Sequence, residues 1–207
     1  MAIVNNDFHE ILTGRHSVRR FDPSVKISRD EMKEMLEETT TIRSKAIFSD
    51  DKEHRLLLRK EWDSEKPTAM VIMINPNTAD TVNFDMTTML VLNNVSRLGF
   101  GSVNIVNLYS RIMEKLDLRF NGDDELIDDE ADEIIQQYAA MSDAIIIAWG
   151  TIGKNTLRVR ERQKYLLELI KQHAGKMYQI GKNACRPLTP AVRREWVLEP
   201  YEMEEAE

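Results

Sequence analysis

Two carboxamides pose the chemical question. Asn75 ends the apolar run Val71–Ile74 in VIMINPNTAD, and Asn107 lies near the end of a second run, Ser102–Leu108. A carboxamide offers donors and an acceptor in fixed positions without charge. Two of them on neighbouring strand ends suit reading the edge of a flat polar ring; a buried Asn that holds a loop is the other reading of Asn107. After Asn75 comes a dense polar loop with Asn77, Thr78, Asp80, Asn83 and Asp85, then Thr87 and Thr88. Asp85 has two readings, a helix cap that accepts free backbone amides or a ligand contact. Further along, Trp149-Gly150 closes a third apolar run, and Arg186-Pro187 follows a fourth strand, where Arg186 is placed to hold a phosphate or other anion. Histidines 9, 16, 54 and 173 are scattered and Cys185 stands alone, so no spacing points to a zinc site.

The elements that must position these groups follow from the pattern. A continuous apolar run bounded by turn formers is a strand buried on both faces, and Pro76 stops the first one at Asn75. Its loop therefore belongs at the carboxyl edge of a parallel sheet, where open α/β folds bind ligands. Further core strands are expected at Ser102–Leu108, Ala144–Gly150 and Lys176–Ile180. Two edge strands, Ala46–Phe48 and His54–Arg59, precede them, with Arg55, Leu57 and Arg59 alternating as on a strand with one wet face; Trp62 packs on the way into the core. Helices are expected after Thr88, over Asp124–Ala140, and over Leu157–His173. The last starts with Arg158, Arg160, Arg162 and Lys164, cations that oppose the helix dipole and call for salt bridges to the acidic helix before it. The expected fold is an α/β three-layer sandwich with a central, mainly parallel sheet of about four strands. A short helical segment precedes it, giving residues 1–44, an α/β domain 45–198 and an acidic tail 199–207.

A chain of 207 residues with 42% hydrophobic content buries one good core. The net charge of -7 argues against a generally sticky nucleic-acid binder, although a small basic groove on an acidic body would escape that argument. The acidic surface fits duplex DNA poorly, so a free nucleotide, nucleoside or modified base is at least as good a partner as DNA. No apolar run is long enough to cross a membrane. The start MAIVNNDFHE lacks the pattern of a signal peptide. With one cysteine, these features lead to the expectation of a cytoplasmic protein, and a homo-oligomer is compatible with them.

The amino-terminal stretch carries a resemblance of its own. Asn6-Asp7 can cap a helix through Leu12, and Ser28 with Glu31 forms a capping-box pattern ahead of Met32, Met35 and Leu36. Between them, Arg15, His16, Ser17, Arg19, Phe21, Asp22 and Pro23, with the helix to Glu38, resemble the start of the FMN-dependent nitroreductase family. The resemblance implies that Arg15, His16, Ser17 and Arg19 hold the phosphate and ribityl chain of FMN, and guanidinium forks with a hydroxyl suit a phosphate. It stops at about residue 41, where TTTIRSKAIF replaces the segment that packs beside the flavin.

From Lys45 to about Trp196 the chain resembles the domain of unknown function family 1643, through KAIFSDD, Arg55-Leu56-Leu57-Leu58, MINPNTAD, GFGSVNIVNLYS, AIIIAWG and Arg186-Pro187-Leu188. More distantly, the order of elements is similar to the uracil-DNA glycosylase superfamily. Met73-Ile74-Asn75-Pro76 stands for its first loop, Asn107 for its second-strand Asn, and Trp149-Gly150 for its W-G pair. Met73 replaces a glycine, and Arg186-Pro187-Leu188 replaces the H-P-S loop, which removes a catalytic histidine. The resemblance implies an N-glycosidase that recognises a nucleobase or nucleotide, with Asn75 orienting water and Asn107 reading the base. A neutral Asn75 is no strong base, which leaves Asp80 or Asp85 to supply charge.

Overall fold

In the computed structural model, residues 39–152 and 156–203 are described. The chain separates into two units, Met1–Thr40 and Thr41–Glu207, and every described element belongs to the second. The helices expected before residue 39, with Arg15, His16, Ser17 and Arg19, lie outside the described residues.

One mixed sheet organises the second unit. Its strands are β1 (Arg43–Phe48), β2 (Arg55–Glu61), β3 (Thr68–Met73), β4 (Ser102–Asn107), β5 (Ala144–Ile147), β6 (Met177–Ile180) and β7 (Leu198–Pro200), in the order β1-β2-β4-β3-β5-β6-β7. The four expected core strands are the parallel middle, β4-β3-β5-β6. The expectation of about four mainly parallel strands falls short, because a β1–β2 hairpin adds antiparallel to β4, and β7 returns antiparallel along β6. Nor is β2 an edge. It lies between β1 and β4 with Leu56, Leu57 and Leu58 buried.

The helices are α1 (Met86–Arg97), α2 (Asp123–Leu126), α3 (Ala131–Met141) and α4 (Leu157–Leu169). On one face of the sheet, Met70, Ile72, Ile145 and Ile147 pack with Ile135 and Tyr138 of α3 and with Val159 and Leu166 of α4. On the other, Val71, Val103, Ile105 and Ile146 pack with Val91 and Val95 of α1. Each fully buried aliphatic side chain contributes about 1.5–3 kcal/mol. The acidic stretch is two helices, not the single one expected. The Leu126 carbonyl accepts from Ser110 N at 3.0 Å and from Arg111 N at 3.1 Å, beyond the end of β4, so it is engaged away from the helix axis. The basic start of α4 finds its acids there: Arg158 pairs with Asp123 at 2.6 Å, and Arg162 pairs with Asp132.

Gly101 is required by close approach. Its carbonyl accepts from Trp62 N at 2.9 Å and Asp63 N at 3.0 Å, and an added Cβ would lie 1.9 Å from the Asp63 carbonyl oxygen. Around Gly175 nothing lies within 4 Å of such a Cβ. Gly101→Ala is expected to destabilise by about 1–3 kcal/mol, and Gly175→Ala to stay within about 0.5 kcal/mol, in paired urea melts.

Candidate functional site

The strand order decides where a ligand site can form. β3 and β5 are neighbours, but the chain leaving β3 crosses to β4 on one side and the chain leaving β5 crosses to β6 on the other. Connections that part in this way leave a crevice outside the strand ends, the usual ligand position in open α/β sheets. Asn75-Pro76 follows β3 at this point, and Trp149-Gly150 follows β5. Asn75 Nδ2 donates to Met113 O at 2.6 Å and to Pro76 O at 3.1 Å. The half-buried amide thus ties the segment after β4 to the end of β3.

The loop from Asn77 to Asp85 is held from inside and from outside. Asp80 is its internal post: Oδ1 accepts from Val82 N and Asn83 N, both at 2.7 Å, and Oδ2 accepts from Asn83 Nδ2 at 2.8 Å. The backbone amides of Asn83 and Val82, then the Asn83 side chain, hold its carboxyl at about 2, against the ordinary 3.8. Asp85 caps α1, with Oδ1 accepting from Thr88 N at 2.6 Å. From below come two cations of β2: Arg55, expected on a strand with one wet face, at 2% exposure, and Lys60, just past the expected strand, at 0%. Arg55 Nη1 donates to Ala79 O at 2.6 Å. Lys60 Nζ donates to Asp80 O at 3.0 Å and Thr81 O at 2.9 Å, and lies 4.2 Å from the centroid of the Phe84 ring. Loop carbonyls therefore replace the water these cations would otherwise need.

Asn107 is the group the fold leaves unanswered. Parallel register sets it opposite Met73, and strand alternation gives it the face of Val103 and Ile105, beneath α1. It is 3% exposed, and neither its Nδ2 nor its Oδ1 has a hydrogen-bond partner among the described residues. Asn104, on the same strand, shows the contrast. Its Nδ2 donates to Ser142 Oγ at 3.1 Å and its Oδ1 accepts from Arg59 at 2.9 Å. A buried polar group without a partner costs about 1–3 kcal/mol, so an Asn kept only to hold a loop would resemble Asn104.

A local irregularity accompanies Asn107. Leu58 pairs with Ile105, whereas His54 bridges Arg111 and Arg55 N donates to Ser110 O at 2.9 Å. Arg55–Leu57 therefore lie opposite Val106–Ser110, and β4 carries extra residues against β2. On its other edge β4 keeps register with β3, where Leu108 N donates to Met73 O at 2.9 Å. Bulges of this kind re-aim side chains and recur beside active sites.

The remaining expected residues separate. Trp149 is buried and meets Tyr201 edge-to-face at 6.2 Å. Arg186 is exposed, and its guanidinium has no hydrogen bond or ion pair among the described residues. Its stem crosses the loop after β5: Gly150 has φ +70°, and a Cβ there would lie 3.0 Å from Arg186 Cγ. Asn77 is half-buried and Thr78 exposed on the loop. The fold thus sets Arg186 against Gly150 after β5, and Asn75 and Asn107 at the ends of the neighbouring strands β3 and β4. The sequence reading missed Arg55 and Lys60. The run Leu56–Leu58, too apolar for a strand with a wet face, was the signal that their stems run inward. Among the described residues, no group of three or more His, Cys, Asp or Glu could hold a metal ion, and no helix is long and apolar enough to cross a membrane.

A family model described as "Protein of unknown function (DUF1643)" matches residues 55–188. The chain belongs to this family. The DUF1643 stretch opens on Arg55 and closes just past Arg186, so it spans the anchored loop, Asn107 and the crevice. Two curated proteins match over much less. YdgI of Bacillus subtilis (strain 168), provisionally named an NAD(P)H nitroreductase, is 62% identical over 39 residues, which are 19% of this chain and 19% of its own. The CLA biosynthesis enone reductase of Lactiplantibacillus plantarum is 54% identical over 39 residues, 19% of this chain and 18% of its own. The chain spans about a fifth of the length of these relatives. No solved structure matches it.

Two outcomes follow for the loop. Asp85→Ala removes the α1 cap and is expected to destabilise by about 1 kcal/mol, most of it restored by Asp85→Asn, as read by chemical denaturation. Asp80 has a depressed folded-state pKa, so its stabilising effect is complete above the ordinary 3.8 and is lost as pH falls toward about 2. Carboxyl NMR titration is expected to give a midpoint near 2, rising in Asn83→Ala; an ordinary midpoint in the native chain would contradict the turn assignment.

Proposed function

We propose that the chain joins an FMN-binding, nitroreductase-like segment to a DUF1643 unit that binds a nucleobase- or nucleotide-like ligand. The comparisons favour the flavin part. The observation that carries it is 62% identity over 39 residues to a protein named as an NAD(P)H nitroreductase, with similar identity to one named as an enone reductase. We place that likeness on the amino-terminal stretch, where Arg15, His16, Ser17 and Arg19 supply donors suited to a phosphate. Bound FMN would supply hydride transfer between a nicotinamide and an electron acceptor. These four residues make only the phosphate end of such a site, and a second copy of the chain would complete it. The visible spectrum, taken on the protein as purified and again after FMN addition and gel filtration, tests this. A flavin band is expected to remain, and to be lost in Arg15→Ala/Arg19→Ala; a colourless protein that keeps no flavin would rule the reading out.

For the DUF1643 unit the reading is recognition of a flat nitrogen heterocycle at the rim, supported by the unpartnered Asn107 carboxamide. The helix-lined clusters on the two sheet faces are taken as the outer layers of a three-layer sandwich. N-glycosidic hydrolysis is the second reading. There Asn75 positions water and Asn107 reads the base, Asn77 and Thr78 contact the ligand, and Arg186 takes a phosphate. Asp85 contributes charge through its field from the cap. Asp80, with a pKa of about 2, is a weak base at neutral pH and acts in the same way. Asn75→Ala is then expected to lower release of free base from nucleosides and nucleotides by roughly 10²-fold or more with the fold intact; undiminished release would exclude this role. Ligand binding without turnover on any such substrate would make the unit a binding module.

A further inference from the structure

Large apolar side chains left exposed among the described residues gather at one edge of the sheet. Val82, Phe84 and Met86 stand in the chain leaving β3, Phe120 in that leaving β4, Leu157 in that leaving β5 and Leu188 in that leaving β6. Every parallel strand thus delivers at least one of them to the carboxyl edge. Contacts between the connections hold them there. Met113 N donates to Pro76 O at 3.1 Å, and Gly150 N donates to Ala184 O at 2.7 Å. Arg158 Nη1 donates to Leu118 O at 3.0 Å and to Asn121 O at 2.8 Å, which sets the Phe120 stretch against the first turn of α4, where Leu157 stands. With Phe120 at 85% exposure and Val82 at 77%, these two side chains add almost nothing to the core. Scattered singly they would need no explanation, but gathered on one surface such groups mark an interface.

Charge divides the same edge. Between Pro67 and Ser96 the chain has no Lys or Arg, and it carries Asp80 and Asp85. The connection after β4 holds more carboxylates than cations, and Asp124 is exposed on it. From β5 onward no acid occurs before Glu161, and from β6 none before Glu195, while Lys182 and Arg186 are exposed. In the order β4-β3-β5-β6, the boundary between the acidic and the basic half therefore falls between β3 and β5. Such an edge is complementary to itself under one operation. A two-fold axis along the sheet normal at β3–β5 sets a second copy edge to edge, with β3 over β5 and β4 over β6. Acid then meets base at both ends, as an isologous contact requires. An axis in the sheet plane, across the strands, would set like charges together.

We propose that the carboxyl edge of the DUF1643 unit is the interface with a second copy of this chain, related by that axis. The exposed apolar side chains pack between the copies, and the acidic half of each faces the basic half of the other. The loop after β3, with Val82 and Phe84, covers the end of β5 in the partner, so the crevice is closed only in the pair. This interface is independent of the flavin reading.

Sedimentation equilibrium of the full chain tests the assignment, with circular dichroism to verify that each variant is folded. The native chain is expected to be a dimer. Phe120→Ser, at a position that contributes so little to the core, is expected to keep the fold and raise the dimer dissociation constant roughly tenfold or more. Lys182→Glu and Asp124→Lys each set like charges against one another at both ends, and each is expected to shift the chain toward monomer. Mixed in equal amounts, these two variants are expected to recover the dimer, because the mixed pair again has opposite charges at both ends. A native monomer would overturn the proposal and give the edge to a different kind of partner. A dimer that Phe120→Ser leaves unchanged would overturn it as well and place the pairing elsewhere in the chain. Charge variants that do not weaken the dimer, or that fail to recover it on mixing, would overturn the two-fold arrangement.

Discussion

Everything in the DUF1643 unit depends on β3 being hydrogen-bonded on both sides. With β4 on one flank and β5 on the other, β3 is buried on both faces, and its sequence must be apolar from Ala69 to Ile74. The same pairing forces the connections after β3 and β5 to part, which creates a crevice at the strand ends. Pro76 then releases the chain from the sheet, so polar residues gather there without breaking a ladder. The position of the candidate site is thus a consequence of sheet connectivity. Its chemistry comes from the few side chains that the surrounding loop carries or conceals.

The loop is where folding and function meet. A long polar connection over an apolar face would leave carbonyls and amides short of partners. Here Asp80 gathers the amides, and Arg55 and Lys60 gather the carbonyls from below. Burying two cations in a chain of net charge -7 is tolerable because their partners are fixed dipoles and their charges lie near Asp80 and Asp85.

Much of this was legible in the sequence, for identifiable reasons. Three apolar runs and the short stretch Lys176–Ile180 marked the parallel strands, Pro76 marked the end of β3, and the order of the runs put Asn75 and Asn107 on adjacent strand ends. The hairpin pairing of β2 was less legible, because alternation of Arg55, Leu57 and Arg59 looks the same on a wet edge as on a strand whose long stems run under a loop. The break between α2 and α3 was hidden as well, since it depends on Leu126 meeting the backbone of Ser110 and Arg111, a contact between distant segments. The edge-to-face contact of Trp149 with Tyr201 was hidden too, because it joins segments far apart in the chain. What no pattern could reveal is that Asn104 is satisfied and Asn107 is not. Asn104 is satisfied by Arg59 and Ser142, which reach it from other segments of the chain and meet it only once the sheet is formed.

The central claim is that the fold leaves the Asn107 carboxamide for a ligand. A crystal structure grown with hypoxanthine, beside one grown without it, tests this most directly. A ring edge within hydrogen-bonding distance of both Asn107 Nδ2 and Oδ1 in the first, with the surrounding backbone unchanged from the second, is the expected result. If in both crystals Asn107 is hydrogen-bonded to the protein itself, with the ring elsewhere or absent, the residue is a structural one like Asn104 and the claim is wrong.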